Sequence, residues 1–363
     1  MRIHFWLSGV LFLAPIAGSY AASIGPVNNL VVFGDSLSDD GNALFLENAY
    51  KTIHGSYPTD VTVPIPPNYT AGKFTDGPDT TPAATNGPTG LWIDQFASKM
   101  GLTQPQASYL GGSNYATSAA QTGHNSAFPL GVPYLQDQLG LFTLSPHPGG
   151  VPADSLYVFW AGADDLFAGG SGTDAANNIA SYISSLNGAG AKYFLWLNLP
   201  NLPVLSGSGA FDTQYAADLA ALQSSGIDVV GVDVNALAGA ILADPSAYGL
   251  TNVTDPAWCG PGHLQDCATN DPNDFLLWDG VHPTTATDAL IAQLAYNDVL
   301  ASSPGASVPE PADAALVLVG ILLMWWVSRR RRFRSPCRLA ADSALSVRDT
   351  SAHRSSATGS SSS

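Results

Sequence analysis

Four short apolar runs, separated by segments with helical patterning, constrain the fold of this chain more than any other feature of its sequence. They are rich in Val and aromatic residues and cover residues 29–33, 155–160, 192–197 and 227–232. Such runs are typical of central strands that are buried on both faces of a parallel sheet. The helix-like segments cover residues 90–100, 174–186, 213–224 and 285–300. The alternation predicts one α/β domain over residues 23–303, in which helices cover a mainly parallel sheet.

The charge of the chain is distributed unevenly. Residues 23–307 contain 25 Asp and Glu, four Lys and no Arg, an excess of 21 acidic side chains, whereas eight of the nine Arg lie at or beyond Arg329. So acidic a stretch repels phosphate backbones, which excludes nucleic acid as a partner. The hydrophobic fraction of 45% is high enough for a large core and excludes a chain disordered throughout.

The first 22 residues have the pattern of an export signal. Arg2 precedes an apolar run from Phe5 to Ala17, and Ser19-Tyr20-Ala21 fits a small-x-small cleavage site. We therefore predict that residues 1–22 are a signal peptide and that the domain is exported.

The sequence that follows the predicted domain has three parts in a recognisable order. Pro309-Glu310-Pro311 precedes the apolar segment 314–327, and four consecutive Arg occupy positions 329–332. The basic flank is typical of the cytoplasmic side of a membrane, although a span needs about 20 residues. This order resembles the PEP-CTERM sorting signal of Gram-negative bacteria. It predicts an anchor over residues 304–334 with one transmembrane helix at about 312–327.

That resemblance implies a location and a processing partner. An exosortase-type enzyme would process the signal, and the domain would stand on the periplasmic or extracellular face, anchored transiently or permanently in the inner membrane. A plain membrane anchor is the alternative. Signals of this kind usually end at the basic cluster, whereas here a Ser-rich tail continues over residues 335–363, which we expect to be disordered.

Two cysteines of the exported segment predict a local disulfide. Cys259 and Cys267 lie eight positions apart, and disulfides persist in oxidising compartments. A metal site that includes His263 is the alternative, but the spacing matches no familiar zinc pattern. We therefore predict no metal.

Two short motifs carry the chemistry. Ser36 follows the first apolar run directly, and Asp279 precedes His282 by three positions just before the last helix-like segment. An Asp at that spacing can reach one imidazole nitrogen and fix the tautomer while the other nitrogen faces a serine. Each motif alone also occurs as an ordinary turn or helix cap. The chain lacks the Gly-x-Ser-x-Gly elbow, which disfavours the usual α/β-hydrolase architecture.

Taken together, the segments resemble the GDSL family of SGNH hydrolases. The matching segments are 33–39, 73–77, 112–116, 160–166 and 279–284. The resemblance implies a three-layer α/β/α sandwich that acts on carboxylic esters without a cofactor. It also implies that Ser36 is the nucleophile, that His282 is the general base and then acid, and that Asp279 orients His282.

Two positions of the implied oxyanion hole depart from the family pattern. Ala119 stands where the family has Gly, and its N–H is kept without strain only if the local φ is negative. Asp164 stands where the family has Asn, whose amide would stabilise the developing negative charge. An ionised Asp164 would repel that charge, whereas a buried and protonated one could donate a hydrogen bond. The predicted donors are therefore Ser36, Ala119 and Asp164.

Three functions are compatible with these residues. The first is a secreted esterase or lipase; the second is an acyltransferase that uses the same site; the third is a weakly active surface-binding protein, which Asp164 would explain. Segments 57–90 and 199–212 are candidates for the walls of an acyl pocket. The carboxylates of Asp39-Asp40 and Asp164-Asp165 are interpreted as capping or solvated groups and not as calcium ligands. The remaining isolated histidines are interpreted as exposed loop residues, namely His54, His124, His147 and His263.

Overall fold

The fold is taken from a computed structural model, which describes residues 24–59, 61–76, 90–147, 150–258 and 271–303. The signal peptide, the two cysteines of the predicted disulfide, the predicted anchor and the tail all lie outside these ranges. Among the described residues, no helix is both long and apolar enough to cross a membrane.

A four-stranded sheet lies at the centre of the domain. Its strands are parallel and lie side by side in sequence order: β1 (Asn29–Gly34), β2 (Ser155–Trp160), β3 (Tyr193–Leu197) and β4 (Asp228–Val232). The register pairs Phe33 of β1 with Phe159 of β2, and Phe159 in turn with Trp196 of β3. The α/β prediction with a parallel sheet is thus confirmed, and all four strands lie within two residues of the predicted runs.

Eight α-helices surround the sheet in the part of the chain that is described. They are α1 (Asn42–His54), α2 (Trp92–Met100), α3 (Leu135–Leu144), α4 (Ala163–Phe167), α5 (Gly172–Ala189), α6 (Ser208–Ser224), α7 (Val234–Ala243) and α8 (Thr285–Ser302). Short 3₁₀ helices cover Ser108–Leu110, Pro245–Tyr248 and Pro272–Asp274.

Helices cover both faces of the sheet. All six residues of β2 are buried although successive side chains point to opposite faces, so each face has a covering layer. Helix α2 packs against α8 and α5 packs against α6, and both α6 and α8 contact β4. Large aromatic side chains fill the core, and Trp92, Trp160 and Trp196 are almost fully inaccessible to solvent.

The carboxyl ends of the four strands meet at one edge of the sheet, which is where ligands bind in open α/β folds. Ser36 lies just beyond the end of β1, and Asp164 lies in the first turn of α4, which follows β2. The topology therefore brings these two residues, 128 positions apart in the sequence, to the same edge.

Candidate active site

The structure brings Ser36, His282 and Asp279 into one hydrogen-bonded chain. His282 Nε2 lies 2.8 Å from Ser36 Oγ, and His282 Nδ1 lies 2.8 Å from Asp279 Oδ2. With a proton on Nδ1, the imidazole donates to Asp279 and presents a basic Nε2 to the serine hydroxyl. This is the arrangement that activates a serine as a nucleophile.

Asp279 is held as a carboxylate by several donors. Its Oδ1 accepts hydrogen bonds from the backbone N–H groups of His282 (2.9 Å) and Val281 (3.2 Å). Its Oδ2 accepts the hydroxyl of Tyr69 at 2.6 Å in addition to the imidazole. Burial alone would raise the pKa of Asp279, but the neighbouring His282 and these hydrogen bonds hold it well below its usual range. Asp279 is therefore an anion over the whole range in which a histidine base can work.

Close contacts at the end of β1 fix the backbone that leads to Ser36. A Cβ on Gly34 would lie 2.5 Å from the carbonyl oxygen of Trp160 on β2, so only glycine fits between the two strands. The side-chain amide of Gln138 on α3 accepts from Gly34 N–H (3.1 Å) and donates to Gly34 C=O (2.8 Å). The backbone that leads into the turn at Ser36 is thus held in place by contacts with β2 and with α3.

Asp39 joins this turn to α1 and to the segment that carries Ala119. It is fully buried, and its carboxylate accepts the N–H groups of Asn42 at 2.7 Å and Ala43 at 3.0 Å, which caps α1. The same carboxylate accepts Ser118 N–H at 2.8 Å. The capping interpretation of Asp39 therefore agrees with its contacts.

Two backbone N–H groups face the site without an acceptor. Among the described residues, neither the N–H of Ser36 nor that of Ala119 donates a hydrogen bond, and both residues line the same cavity as His282. The φ of Ala119 is 64°, so the condition of a negative φ is not met and the alanine occupies a conformation that favours glycine. Asp165 fixes the far side of this turn by accepting Thr122 N–H at 2.9 Å.

Asp164 stands in the wall of the cavity beside these donors. Burial raises the pKa of Asp164 to about 6; His282 opposes the shift and Asp165 adds to it. Burial and the nearby Asp164 also raise the pKa of Asp35 well above its usual range. One carboxyl oxygen of Asp35 is buried without a hydrogen-bond partner among the described residues. Protonation of Asp164 is thus accessible only on the acidic side of neutrality.

A large apolar cavity opens at Ser36. Its volume is about 1070 Å³, slightly above the range of about 300–1,000 Å³ that is usual for small-molecule sites. Ser36, His282, Ala119 and Asp164 all lie in its wall, together with residues of α1 and α7. The site therefore combines an activated serine with a chamber for an apolar ligand.

Comparisons with known proteins identify the family of the chain. Residues 30–295 match the family model of the GDSL-like lipases and acylhydrolases. The chain belongs to this family.

Three relatives illustrate the range of the GDSL family around this chain. An uncharacterized protein in the trpE-trpG intergenic region of Pseudomonas putida is 28% identical over 81% of the chain and 52% of its own length. Esterase EstA of Pseudomonas aeruginosa is 26% identical over 85% of the chain and 52% of its own length. The phosphatidylcholine-sterol acyltransferase of Aeromonas hydrophila is 22% identical over 79% of the chain and 95% of its own length. The chain therefore spans about half the length of the first two relatives.

Sequence reasoning missed the residues that support the triad in this GDSL family member. Tyr69 lies within segment 57–90, a candidate wall of the acyl pocket, and its hydroxyl reaches Asp279 across 210 positions of sequence. The ring of Phe74 packs on the imidazole of His282 with 4.8 Å between ring centroids. Asp76 accepts Thr285 N–H at 2.6 Å and so holds the first turn of α8. In the sequence, only the match of segment 73–77 to the family pointed to this region, and that match did not indicate what its residues do.

Contacts also revise the interpretation of two isolated histidines. His54 is the last residue of α1 and packs on Tyr50 with 4.1 Å between ring centroids, so the loop interpretation was wrong. His124 pairs with the carboxylate of Asp137 on α3 although more than half of its own side chain is exposed. No group of three or more potential metal ligands occurs among the described residues.

Proposed function

We propose that this chain hydrolyses carboxylic esters through an acyl-enzyme on Ser36. The observation that carries the proposal is the continuous hydrogen-bonded chain from Ser36 Oγ through both nitrogens of His282 to Asp279, with 2.8 Å at each step. Membership of the GDSL-like lipase and acylhydrolase family supports the same reaction class.

Each group of the site has a role in the proposed reaction. Ser36 Oγ attacks the ester carbonyl while His282 Nε2 takes its proton, and Asp279 stabilises the imidazolium that forms. The free N–H groups of Ser36 and Ala119 donate hydrogen bonds to the oxyanion. The imidazolium then returns its proton to the leaving alcohol, which leaves an acyl-serine. Water attacks this acyl group with His282 again as base, and the acid and the free serine are released.

Transfer of the acyl group to an alcohol is the second candidate. One relative is named as an acyltransferase, and this chain aligns with 95% of that relative's length. The same acyl-enzyme would then react with an alcohol held in the cavity instead of with water. Product analysis in the presence of added alcohols separates the two reactions, since exclusive release of free acid excludes transfer.

Hydrolysis of p-nitrophenyl esters tests the proposal. Ser36→Ala should abolish turnover, whereas Ser181→Ala, on an exposed position of α5, should match the wild type. A fluorophosphonate should form a covalent adduct with Ser36 that mass spectrometry locates. Turnover that survives in Ser36→Ala would reject the proposed mechanism. The absence of both turnover and adduct would also reject it and would favour a binding role.

We also propose that the domain is exported and acts on the outer side of the inner membrane of a Gram-negative bacterium. The support is the sequence pattern of residues 1–22 and the sorting-signal order that begins at Pro309. An exosortase-type enzyme is the proposed partner. Mass spectrometry of the protein from its native host should find an N-terminus near Ser23 and a C-terminus near Pro309. An intact chain of 363 residues in the cytoplasm would refute the proposal.

A further inference from the structure

The walls of the cavity come from opposite ends of the sheet. Helix α1 follows β1, and helix α7 follows β4, yet residues of both helices line the one cavity that contains Ser36. Since β1 and β4 are separated by three inter-strand spacings, the edge between them is about 14 Å long. We name the part of the cavity that is lined by α1 the α1 arm, and the part that is lined by α7 the α7 arm.

The α7 arm is lined by hydrocarbon. Its wall includes Leu237, Ala238 and Ile241 of α7, together with Leu202, which packs in the same apolar cluster as Leu237 and Ile241. The hydroxyl of Thr287, which also lies there, is engaged because it donates to the carbonyl oxygen of Leu276 at 2.8 Å. An apolar ligand can thus fill this arm without leaving a polar group unpaired.

The α1 arm differs because it contains a carboxyl group that lacks a partner. Glu47 lines it, and one oxygen of its carboxyl is inaccessible to solvent and accepts no hydrogen bond from the described residues. Tyr50 and His54 on the same helix face add further polar atoms. A hydrocarbon chain laid over Glu47 would bury that carboxyl without compensation, so the α1 arm is the unfavourable place for it.

From this asymmetry we infer that the α7 arm binds a long, unbranched acyl chain and that the α1 arm receives the alcohol part of the ester. The inference rests on the proposed function, because it takes Ser36 as the point where the two parts of the ester meet. Ala238 is the smallest side chain named in the α7 arm, so it leaves the most room for methylene groups. Long-chain esters are the substrate class that this site is built to hold.

The mouth of the cavity fits the same class of substrate. Six lining side chains are large, apolar and exposed: Ile53, Val61, Leu130, Phe167, Val204 and Val281. Leu130 is 97% exposed and Ile53 is 77% exposed. An apolar rim around an apolar chamber favours the entry of esters with a long hydrocarbon part.

A matched set of variants, each with a large aromatic side chain in place of a smaller one, tests the inference on the full-length protein. We would measure kcat/KM with p-nitrophenyl butyrate and p-nitrophenyl palmitate. Each methylene that enters an apolar site contributes about fourfold, so palmitate should be preferred by the wild type. Ala238→Phe should lower kcat/KM for palmitate at least about tenfold and that for butyrate less than about threefold. Leu237→Trp narrows the same arm from a half-buried position and should act likewise if Ala238→Phe does not fold.

Two further variants serve as controls. Ala240→Phe lies on the exposed side of α7 and should leave both rates unchanged. Ala49→Phe lies in the α1 arm and should keep the preference for palmitate. A preference lost in Ala49→Phe and kept in both α7 variants would overturn the inference, as would a wild type that hydrolyses butyrate but does not prefer palmitate. A wild type that hydrolyses neither ester, and forms no adduct on Ser36, would instead reject the proposed function.

Discussion

Asp164 occupies a position where an ordinary oxyanion hole would have a neutral donor. In the proposed mechanism the oxyanion beside Ser36 carries a negative charge, and an ionised carboxylate in the same wall would oppose it. Because the pKa of Asp164 lies at about 6, its protonated form, which can donate, is abundant only in mildly acidic solution. Under the proposed mechanism, the reaction rate should therefore depend on pH through a residue outside the triad.

Replacing Asp164 by the amide should expose this coupling. We expect Asp164→Asn to raise kcat by about 100-fold near pH 8, since a lost donor of this kind typically costs about 10²–10³ in rate. Near pH 5 the gain should shrink, because wild-type Asp164 is then protonated. Ester hydrolysis over a pH series gives the ratio, and Asp174→Asn on the exposed first turn of α5 is the matched control. An unchanged or lower kcat at all pH values would mean that the carboxylate is part of the working site.

Ala119 should be under backbone strain. An alanine at a φ of 64° is disfavoured by about 1–2 kcal/mol, and glycine removes this penalty while it adds about 0.4–1 kcal/mol of unfolded-state entropy. Ala119→Gly should therefore increase the free energy of unfolding by about 0.5 kcal/mol. Ala240→Gly, inside α7, should decrease it by about 0.5–1 kcal/mol. Urea unfolding compares the two variants. An equal loss of free energy of unfolding in both would contradict the predicted strain at Ala119.

At the scale of elements, one carboxylate fastens three parts of the site. Asp39 accepts N–H groups from the loop before α1, from the first turn of α1 and from Ser118. The element that carries the proposed nucleophile and the segment that carries the proposed second oxyanion donor are therefore positioned by the same side chain. The backbone adds a second link, because Thr117 N–H donates to the carbonyl oxygen of Gly34 at the end of β1 at 3.1 Å.

Asp39→Asn should uncouple these elements. The amide offers a single acceptor oxygen and turns an NH₂ group towards backbone donors, so we expect a loss of about 1–3 kcal/mol in the free energy of unfolding and a lower kcat. Asp244→Asn, which caps an exposed 3₁₀ helix, should change little because Asn and Asp cap equally well. Chemical denaturation and ester hydrolysis measure both effects. Equal stability of the two variants would show that Asp39 is dispensable.

The sequence predicted the elements whose signal is local. The strand runs such as 155–160 are continuous and apolar because both faces are buried, and Ser36 and His282 stand in short recognisable motifs. Four helices, α1, α3, α4 and α7, were missed. Helix α1 begins after a glycine without a side-chain cap of its own, and α7 is apolar on nearly all sides, so neither carries the usual start signal or polar face.

The rest of the site depends on contacts that no local pattern encodes. Tyr69 reaches Asp279, and Gln138 reaches Gly34, only because the fold brings distant segments together. The sign of φ at Ala119 is set in the same way, by anchors on either side of its turn at Ser118 and Thr122. Sequence reasoning could name the reacting groups, whereas their supporting residues required the three-dimensional structure.

Over the whole molecule, buried carboxyl groups should make stability depend on pH. Burial raises the pKa of Asp39, Asp212 and Asp298 to about 6, and that of Glu47 to about 7. A carboxyl whose pKa is higher in the folded than in the unfolded protein stabilises the fold below its unfolded value, and this contribution is lost as the pH rises through the folded value. The relevant window is therefore about pH 4 to 7, and the formal net charge of −16 acts in the same direction.

We expect the urea midpoint of unfolding to fall as the pH is raised from about 5 to about 8 at constant ionic strength. The depressed pKa of Asp279 has the opposite sign, but its contribution changes only at pH values below that window. A midpoint that rises over this range would show that these carboxyl groups are not buried as described. Repeating the series with Asp39→Asn should flatten the slope, because one of the titrating groups is then absent.

The separation of Ser36 and His282 in the chain has a consequence for folding. The two residues are 246 positions apart and meet only when nearly the whole domain has closed around the sheet. The contact between Ser36 and His282 should form late in folding. Closing so long a loop costs conformational entropy, and contacts that have formed earlier must offset this cost. During refolding, the helical signal should therefore return before ester hydrolysis does. For this enzyme, recovered activity reports that the last long-range contact has formed.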